Sequence, residues 1–141
     1  MALLNDTAAA EVRKQLAGLD QPVKLINFTQ TIECAHCEDT RRLMEEVTAL
    51  SDKLSLEVYN FIEDKDKAEE FQVDKIPATL VKGERDPGIR LFGIPSGYEF
   101  PTLLEAIAMV SRGASGLSAA TKQKLATLTQ PLHLQVFITP T

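Results

Sequence analysis

Val23-Lys24-Leu25-Ile26-Asn27-Phe28-Thr29, then Gln30-Thr31-Ile32-Glu33, then Cys34-Ala35-His36-Cys37, then Glu38 through Leu50: this stretch decides the fold. It reads as an apolar strand, a short turn, a Cys-x-x-Cys pair and an amphipathic helix. The helix face shows as Leu43, Val47 and Leu50 with Met44 beside it, spaced three and four apart. Both cysteines of the chain sit where that helix should begin. The first is expected to cap the helix N-terminus, where unpaired N–H groups and the helix dipole favour negative charge. A thiolate there is stabilised, and the thiolate is the reactive form of cysteine. Redox chemistry is therefore the first expectation.

Upstream, Asn5, Asp6 or Thr7 can cap a first helix with Ala8, Val12, Leu16 and Leu19 on one face, ended by Gly18 and Asp20-Gln21-Pro22. Strand Val23–Thr29 is nearly apolar throughout, which suits a sheet covered on both faces. Downstream, Ser51-Asp52-Lys53 is a turn. Leu54–Phe61 then alternates, with Leu54, Leu56 and Val58 facing one way and Tyr59 and Phe61 the other. Strand, helix and strand make a βαβ unit, whose two strands run parallel. Glu63 to Val73 reads as a short, highly charged helix with the charges on a solvated face. Ile76-Pro77 precedes strand Ala78–Lys82, and the turn through 83–88 leads to strand Ile89–Gly93, an antiparallel hairpin. Phe100, Leu103, Leu104 and Ile107 place a final helix over the sheet. The expected class is α/β in the thioredoxin-like order: a mixed central sheet flanked by helices, with one extra N-terminal helix.

Size and charge narrow the function. The chain has 141 residues, enough for one compact α/β domain. Its apolar content of 44% and charged content of 25% are those of a globular protein. A net charge of −5, with no basic cluster longer than Arg41-Arg42, argues against a nucleic-acid partner. No apolar run approaches the roughly 20 residues of a membrane span. The start, Met1-Ala2-Leu3-Leu4-Asn5-Asp6, lacks the basic and long apolar regions of a signal peptide. Two cysteines three positions apart are no secreted disulfide framework, so the cytoplasm is the expected compartment. Asn5-Asp6-Thr7 and Asn27-Phe28-Thr29 match the glycosylation triplet. The second lies in a core strand, and both read as chance.

The segment after the last helix contains a repeat. Leu16–Phe28 lines up, 109 residues on, with Leu125–Phe137, and seven of thirteen positions are identical. That period is too long for a solenoid and equals one thioredoxin-like unit with its connector. Residues 1–112 are therefore expected to form a thioredoxin-like unit with the Cys-x-x-Cys. Residues 113–141 are expected to supply a linker helix and the first strand of an incomplete second unit, which stops where its own active-site turn should begin. Leu132, Leu134, Val136 and Ile138 give that strand one strongly apolar face. It is expected to dock on the edge of its own sheet or on a second copy of the chain, a homodimer through 132–138.

Cys34-Ala35-His36-Cys37 after its strand, Lys75-Ile76-Pro77-Ala78, and Phe92-Gly93-Ile94-Pro95-Ser96-Gly97-Tyr98-Glu99-Phe100 resemble the N-terminal half of the protein disulfide oxidoreductases. These are glutaredoxin-like proteins with two thioredoxin units in tandem. Val136-Phe137-Ile138-Thr139-Pro140-Thr141 resembles the strand leading to that family's second Cys-x-x-Cys. A similar architecture occurs at the N-terminus of flavin-dependent peroxiredoxin reductases, whose first unit typically has no cysteine pair. Unlike thioredoxin itself, this chain has Glu33 where an aromatic residue precedes the first cysteine, and Ala-His between the cysteines.

Cys34 is the expected attacking thiol and Cys37 the resolving one, since the spacing brings both sulfurs to one helix end. Two other uses of such a pair stay open: inert core cysteines, or half of a zinc site. Zinc needs about four ligands, and only His36 and the distant His133 remain to help. A protonated His36 would stabilise the thiolate further, whereas Glu33, Glu38 and Asp39 would oppose it. The resemblance implies a cis bond at Ile76-Pro77, facing the cysteines, with the Ile76 backbone free to pair with an incoming peptide strand. Proline also keeps an N–H away from the sulfurs.

The leading expectation is an enzyme, a dithiol–disulfide oxidoreductase acting on protein disulfides. It would use no cofactor or metal of its own and be re-reduced by a thioredoxin-reductase-type partner. The alternatives are a non-catalytic docking module and an electron relay to a peroxidase.

Overall fold

The structure, a computed structural model, describes residues 2–139. Pro140 and Thr141, the close of the segment that resembles a second active-site strand, lie outside the described residues. The elements run α1 (Asp6–Leu16), β1 (Val23–Thr29), α2 (Cys37–Thr48), β2 (Leu54–Asn60), α3 (Lys65–Glu70), β3 (Ala78–Lys82), β4 (Ile89–Phe92), α4 (Glu99–Arg112) and α5 (Ala119–Ala126). The sheet order is β2-β1-β3-β4. β1 lies parallel to β2, from Val23 opposite Leu54 to Thr29 opposite Asn60, and antiparallel to β3. The β3–β4 hairpin closes the sheet.

The apolar run of β1 is covered on both faces, as its composition requires. Val23 and Leu25 join Val12 and Leu16 of α1, Leu43, Met44 and Val47 of α2, and Leu103 and Ile107 of α4. Ile26 and Phe28 point the other way, toward Ala68, Val73, Ala78 and Leu80. The Phe28 ring meets Tyr59 at 5.5 Å and Phe71 at 6.2 Å between centroids. Burying each such side chain contributes roughly 1.5–3 kcal/mol, so β1 is the most heavily anchored element. Val58, on the same side of β2 as Leu54 and Leu56, is exposed, because β2 is an edge strand.

Caps fix the element ends. Asn5 is the N-cap of α1, its side chain accepting from the Ala8 N–H at 2.8 Å. α3 is shorter than the charged run 63–73 suggested. The Asn60 side chain accepts from the N–H groups of Ile62 and Glu63 (2.9 and 3.1 Å), holding that stretch in a turn. Gln72, with φ 56°, ends the helix after Phe71. α4 ends at Gly113, whose φ of 66° favours glycine.

Beyond Gly113 the chain leaves the core. α5 buries no residue, and 127–139 form neither helix nor strand. Leu134, Val136 and Phe137 are 88%, 88% and 91% exposed. The segment 132–138, expected to be a strand, thus pairs with neither edge of its own sheet. A β1-like strand belongs between two others, and a second sheet is absent among the described residues. Among those residues, no helix is long and apolar enough to cross a membrane.

Candidate active site

β1 delivers the chain to the site. Phe28 pairs with Ala78 of β3 and Thr29 with Asn60 of β2, and Ala78 in turn faces Phe92. The turn 30–36, Ile76-Pro77, the loop after Asn60 and the loop after Phe92 therefore gather at one end of the sheet. Cys34 and Cys37 are joined there as a disulfide, S–S 1.99 Å and Cα–Cα 5.5 Å.

The helix does not begin where the sequence suggested. Cys37 is the first residue of α2 and His36 occupies the N-cap position, with φ −115° and no side-chain cap bond. Cys34 lies two residues outside the cap rather than at it. The His36 carbonyl accepts from the Thr40 N–H at 3.0 Å and from the Thr40 hydroxyl at 2.6 Å, which starts the helix at Cys37. The helix end thus bears on Cys37 directly and on Cys34 through the neighbouring sulfur. Cys37 is wholly buried and Cys34 half-buried. Glu33 turns the chain into Cys34 with φ 55°, a left-handed conformation costing a non-glycine residue roughly 1–2 kcal/mol.

Glu33, His36 and Glu38 are exposed around the pair. The Ile76–Pro77 bond is cis. Pro77 is buried and its carbonyl accepts from the Gly93 N–H at 2.8 Å. Both ladders of β3 begin at Ala78, so Ile76 lies outside them. Beside it Lys75 sits 4.5 Å from the centre of the Phe92 ring and pairs with Asp74 at 2.6 Å. The Lys75 ammonium holds the Asp74 carboxyl below the usual carboxylate range. Among the described residues, no group of three or more His, Cys, Asp or Glu is placed to hold a metal.

Sequence reasoning missed two features here. Ile32, Ile62, Phe92 and Tyr98 stand exposed at this end of the sheet, Ile32 at 72% and Tyr98 at 73%, and form its apolar rim. These residues come from separate loops and show no periodicity. Asn27, read only as a chance triplet, is wholly buried in β1 among apolar neighbours. A polar residue inside an apolar strand was its only signal.

The fold recurs in solved structures. A protein disulfide oxidoreductase from Aeropyrum pernix K1 is 34% identical over 90% of this chain and 57% of its own, with a TM-score of 0.80. The N-terminal domain of alkylhydroperoxide reductase AhpF from Enterococcus faecalis is 21% identical over 90% of this chain and 62% of that one, TM-score 0.79. A thioredoxin variant from Halobacterium salinarum is 15% identical, covering 79% and 89%, TM-score 0.53. The chain thus spans little more than half the length of the first two. No family model and no curated protein matches it. The thioredoxin fold and the resemblance to protein disulfide oxidoreductases are both borne out.

Proposed function

We propose that this thioredoxin-fold chain, similar over nearly its whole length to a protein disulfide oxidoreductase, exchanges dithiols and disulfides with protein substrates through Cys34 and Cys37. One observation carries the reading: the bonded pair at the β1–α2 junction has one half-buried and one wholly buried cysteine. In the reduced chain, the Cys34 thiolate attacks one sulfur of a substrate disulfide. The substrate S–S bond breaks, one substrate thiolate leaves, and a mixed disulfide to Cys34 forms. Cys37, as thiolate, then attacks Cys34 Sγ and releases the second substrate thiolate. Two electrons pass to the substrate, and the chain is left with the Cys34–Cys37 bond. A dithiol reductant of the thioredoxin-reductase type would return it to the dithiol.

Ile76, outside the β3 ladders, offers its backbone to an extended substrate segment, and the apolar rim of Ile32, Phe92 and Tyr98 receives its side chains. His36, Glu33 and Glu38 set the local charge around Cys34. A relay to a peroxidase would use the same exchange with a different acceptor. Residues 1–112 serve as the working unit, and 113–141 as linker helix and first strand of a second one, a division supported by the repeat. A catalytic pair of this kind suits a reducing compartment, the cytoplasm.

Insulin reduction with dithiothreitol tests the activity. The chain should accelerate precipitation, and Cys34→Ser should abolish the acceleration. Equal rates for the two proteins would leave a docking module as the better reading.

A further inference from the structure

The segment between α3 and β3 brings Ile76 to the cysteine end of the sheet, and two residues of β4 hold that segment. Arg90 and Phe92 are two apart on the strand and so lie on one face of it. Arg90 donates to the Phe71 carbonyl at 3.1 and 3.2 Å, which fixes the start of the segment. Val73 is buried, and its N–H donates to the Ala68 carbonyl at 2.8 Å. Lys75 then lies over Phe92, its ammonium 4.5 Å from the ring centre. On the other side of Ile76, the Pro77 carbonyl accepts from the Gly93 N–H at 2.8 Å. Ile76 itself has no backbone hydrogen bond among the described residues, since both ladders of β3 begin at Ala78. An edge without bonds of its own keeps its place only through its neighbours.

The contact with Phe92 is the one Lys75 is suited to make. Phe92 stands on an edge strand opposite Ala78, a small neighbour, and is 37% exposed, so its ring has a face to offer a cation. The ammonium is also accompanied by a carboxylate, Asp74 Oδ1 at 2.6 Å, which offsets its pull on a thiolate or any other anion farther away. We infer that Lys75 is a positioning residue of the exchange: latched onto Phe92, it holds the Ile76 backbone as a fixed edge for the substrate strand. The inference rests on the dithiol–disulfide reading of Cys34 and Cys37. It adds a residue that acts on substrate affinity, through Phe92 and Ile76, and not on the sulfurs. A held edge lets the substrate segment pair without first ordering the loop, a cost that otherwise comes out of the affinity. A cation over an exposed ring is a small interaction, so its loss should change that affinity roughly two- to fivefold.

Lys75→Met keeps most of the stem and removes the charge. Rapid-quench oxidation of the reduced chain by excess insulin, read by alkylation of the remaining thiols, gives a saturating rate and a half-saturating insulin concentration. Lys75→Met should raise the half-saturating concentration roughly two- to fivefold and leave the saturating rate unchanged. Lys75→Arg, which restores a cation over the ring, should behave as the parent. Amide hydrogen exchange reads the latch without turnover. The Gly93 N–H, bonded to Pro77, should exchange roughly two- to fivefold faster in Lys75→Met. In a Phe92→Leu background the same substitution should leave that amide unaffected. A lowered saturating rate with half-saturation unchanged places Lys75 in the sulfur chemistry and overturns the inference. A shifted half-saturation with Gly93 exchange unchanged means that Lys75 meets the substrate itself, and overturns it too. An active chain whose half-saturation does not move keeps the functional reading and loses the role of Lys75. A chain that insulin does not oxidise, but whose Gly93 amide responds to Lys75→Met, loses the functional reading and keeps the latch.

Discussion

Cys34 and Cys37 are three residues apart, yet Cys37, in the first turn of α2, is wholly buried and Cys34 only half-buried. Attack by an outside disulfide partner needs access, so iodoacetamide should label reduced Cys34 faster than Cys37 by tenfold or more. Equal rates, read by peptide mass, would exchange or cancel the two roles. Glu33, immediately before, adopts φ 55°, where a glycine pays no steric cost. Glu33→Gly should raise the urea midpoint by an amount equivalent to about 0.5–1 kcal/mol, the relief of the left-handed strain less the entropy glycine adds to the unfolded chain. A lower midpoint would mean that the Glu33 side chain makes a contact worth more than that strain. At this scale the cysteine pair was legible, because a two-residue spacing at a strand–helix junction is a local pattern. Asn27 was not: its burial depends on what covers β1 and what pairs with it, and those residues come from two other elements, α2 and β3.

Elements are held together here by a few buried polar knots. Ser111, on the last turn of α4, is 1% exposed. Its hydroxyl oxygen accepts from the N–H groups of Asp20 and Gln21 (2.9 and 3.0 Å) and its proton goes to the Gln21 carbonyl at 2.8 Å. Ser111→Ala strands these groups and should cost about 2 kcal/mol in chemical denaturation. A change below about 0.5 kcal/mol would show that water replaces the hydroxyl. On the opposite face Arg90 of β4 ties the hairpin to α3, donating to the Phe71 carbonyl at 3.1 and 3.2 Å and to both carboxylate oxygens of Asp86 at 3.0 and 2.7 Å. The Arg90 guanidinium beside Asp86 holds that carboxyl below its usual range. The unfolded chain therefore takes up this proton first as pH falls. The pair's contribution is complete at neutral pH and fades from about pH 4 downward, through the folded value. Asp86→Asn should cost about 1 kcal/mol at pH 7 and flatten the acid limb of melting temperature against pH. An acid limb parallel to that of the parent would place the lost stability on other carboxylates. The element order could be read from periodicity alone, but these knots could not, since Ser111 lies about ninety residues from its partners. The start of α2 was misplaced for the same kind of reason: the Thr40–His36 bonds that set it compete with a cap at Cys34 that the sequence equally allows.

At the scale of the whole chain, a folded unit carries an exposed apolar segment that joins none of its strands. The offset of the repeat equates Leu132–Ile138 with Val23–Thr29, the whole of β1, an inner strand with a neighbour on either side. In this structure, those residues have no ladder partner, and Leu134, Val136 and Phe137 face solvent. The composition of the segment was legible, because the alternation is local. Its partner was not, because pairing depends on what lies across from it. A run of this kind combines bare backbone donors and acceptors with an apolar face, and both are relieved by a second strand. The unit offers two edges, β2 and β4, and the segment pairs with neither. A second copy offers the same segment, and two such strands can pair about a two-fold axis with Leu132, Leu134, Val136 and Ile138 meeting their counterparts. The chain should therefore scatter light as a dimer at tens of micromolar. Leu134→Lys together with Val136→Lys should return it to a monomer while leaving the melting of the folded unit unchanged, because neither side chain touches its core. If the parent and the double variant have the same mass in solution, the segment does not pair two copies, and a strand supplied by a second unit is the remaining way to cover it.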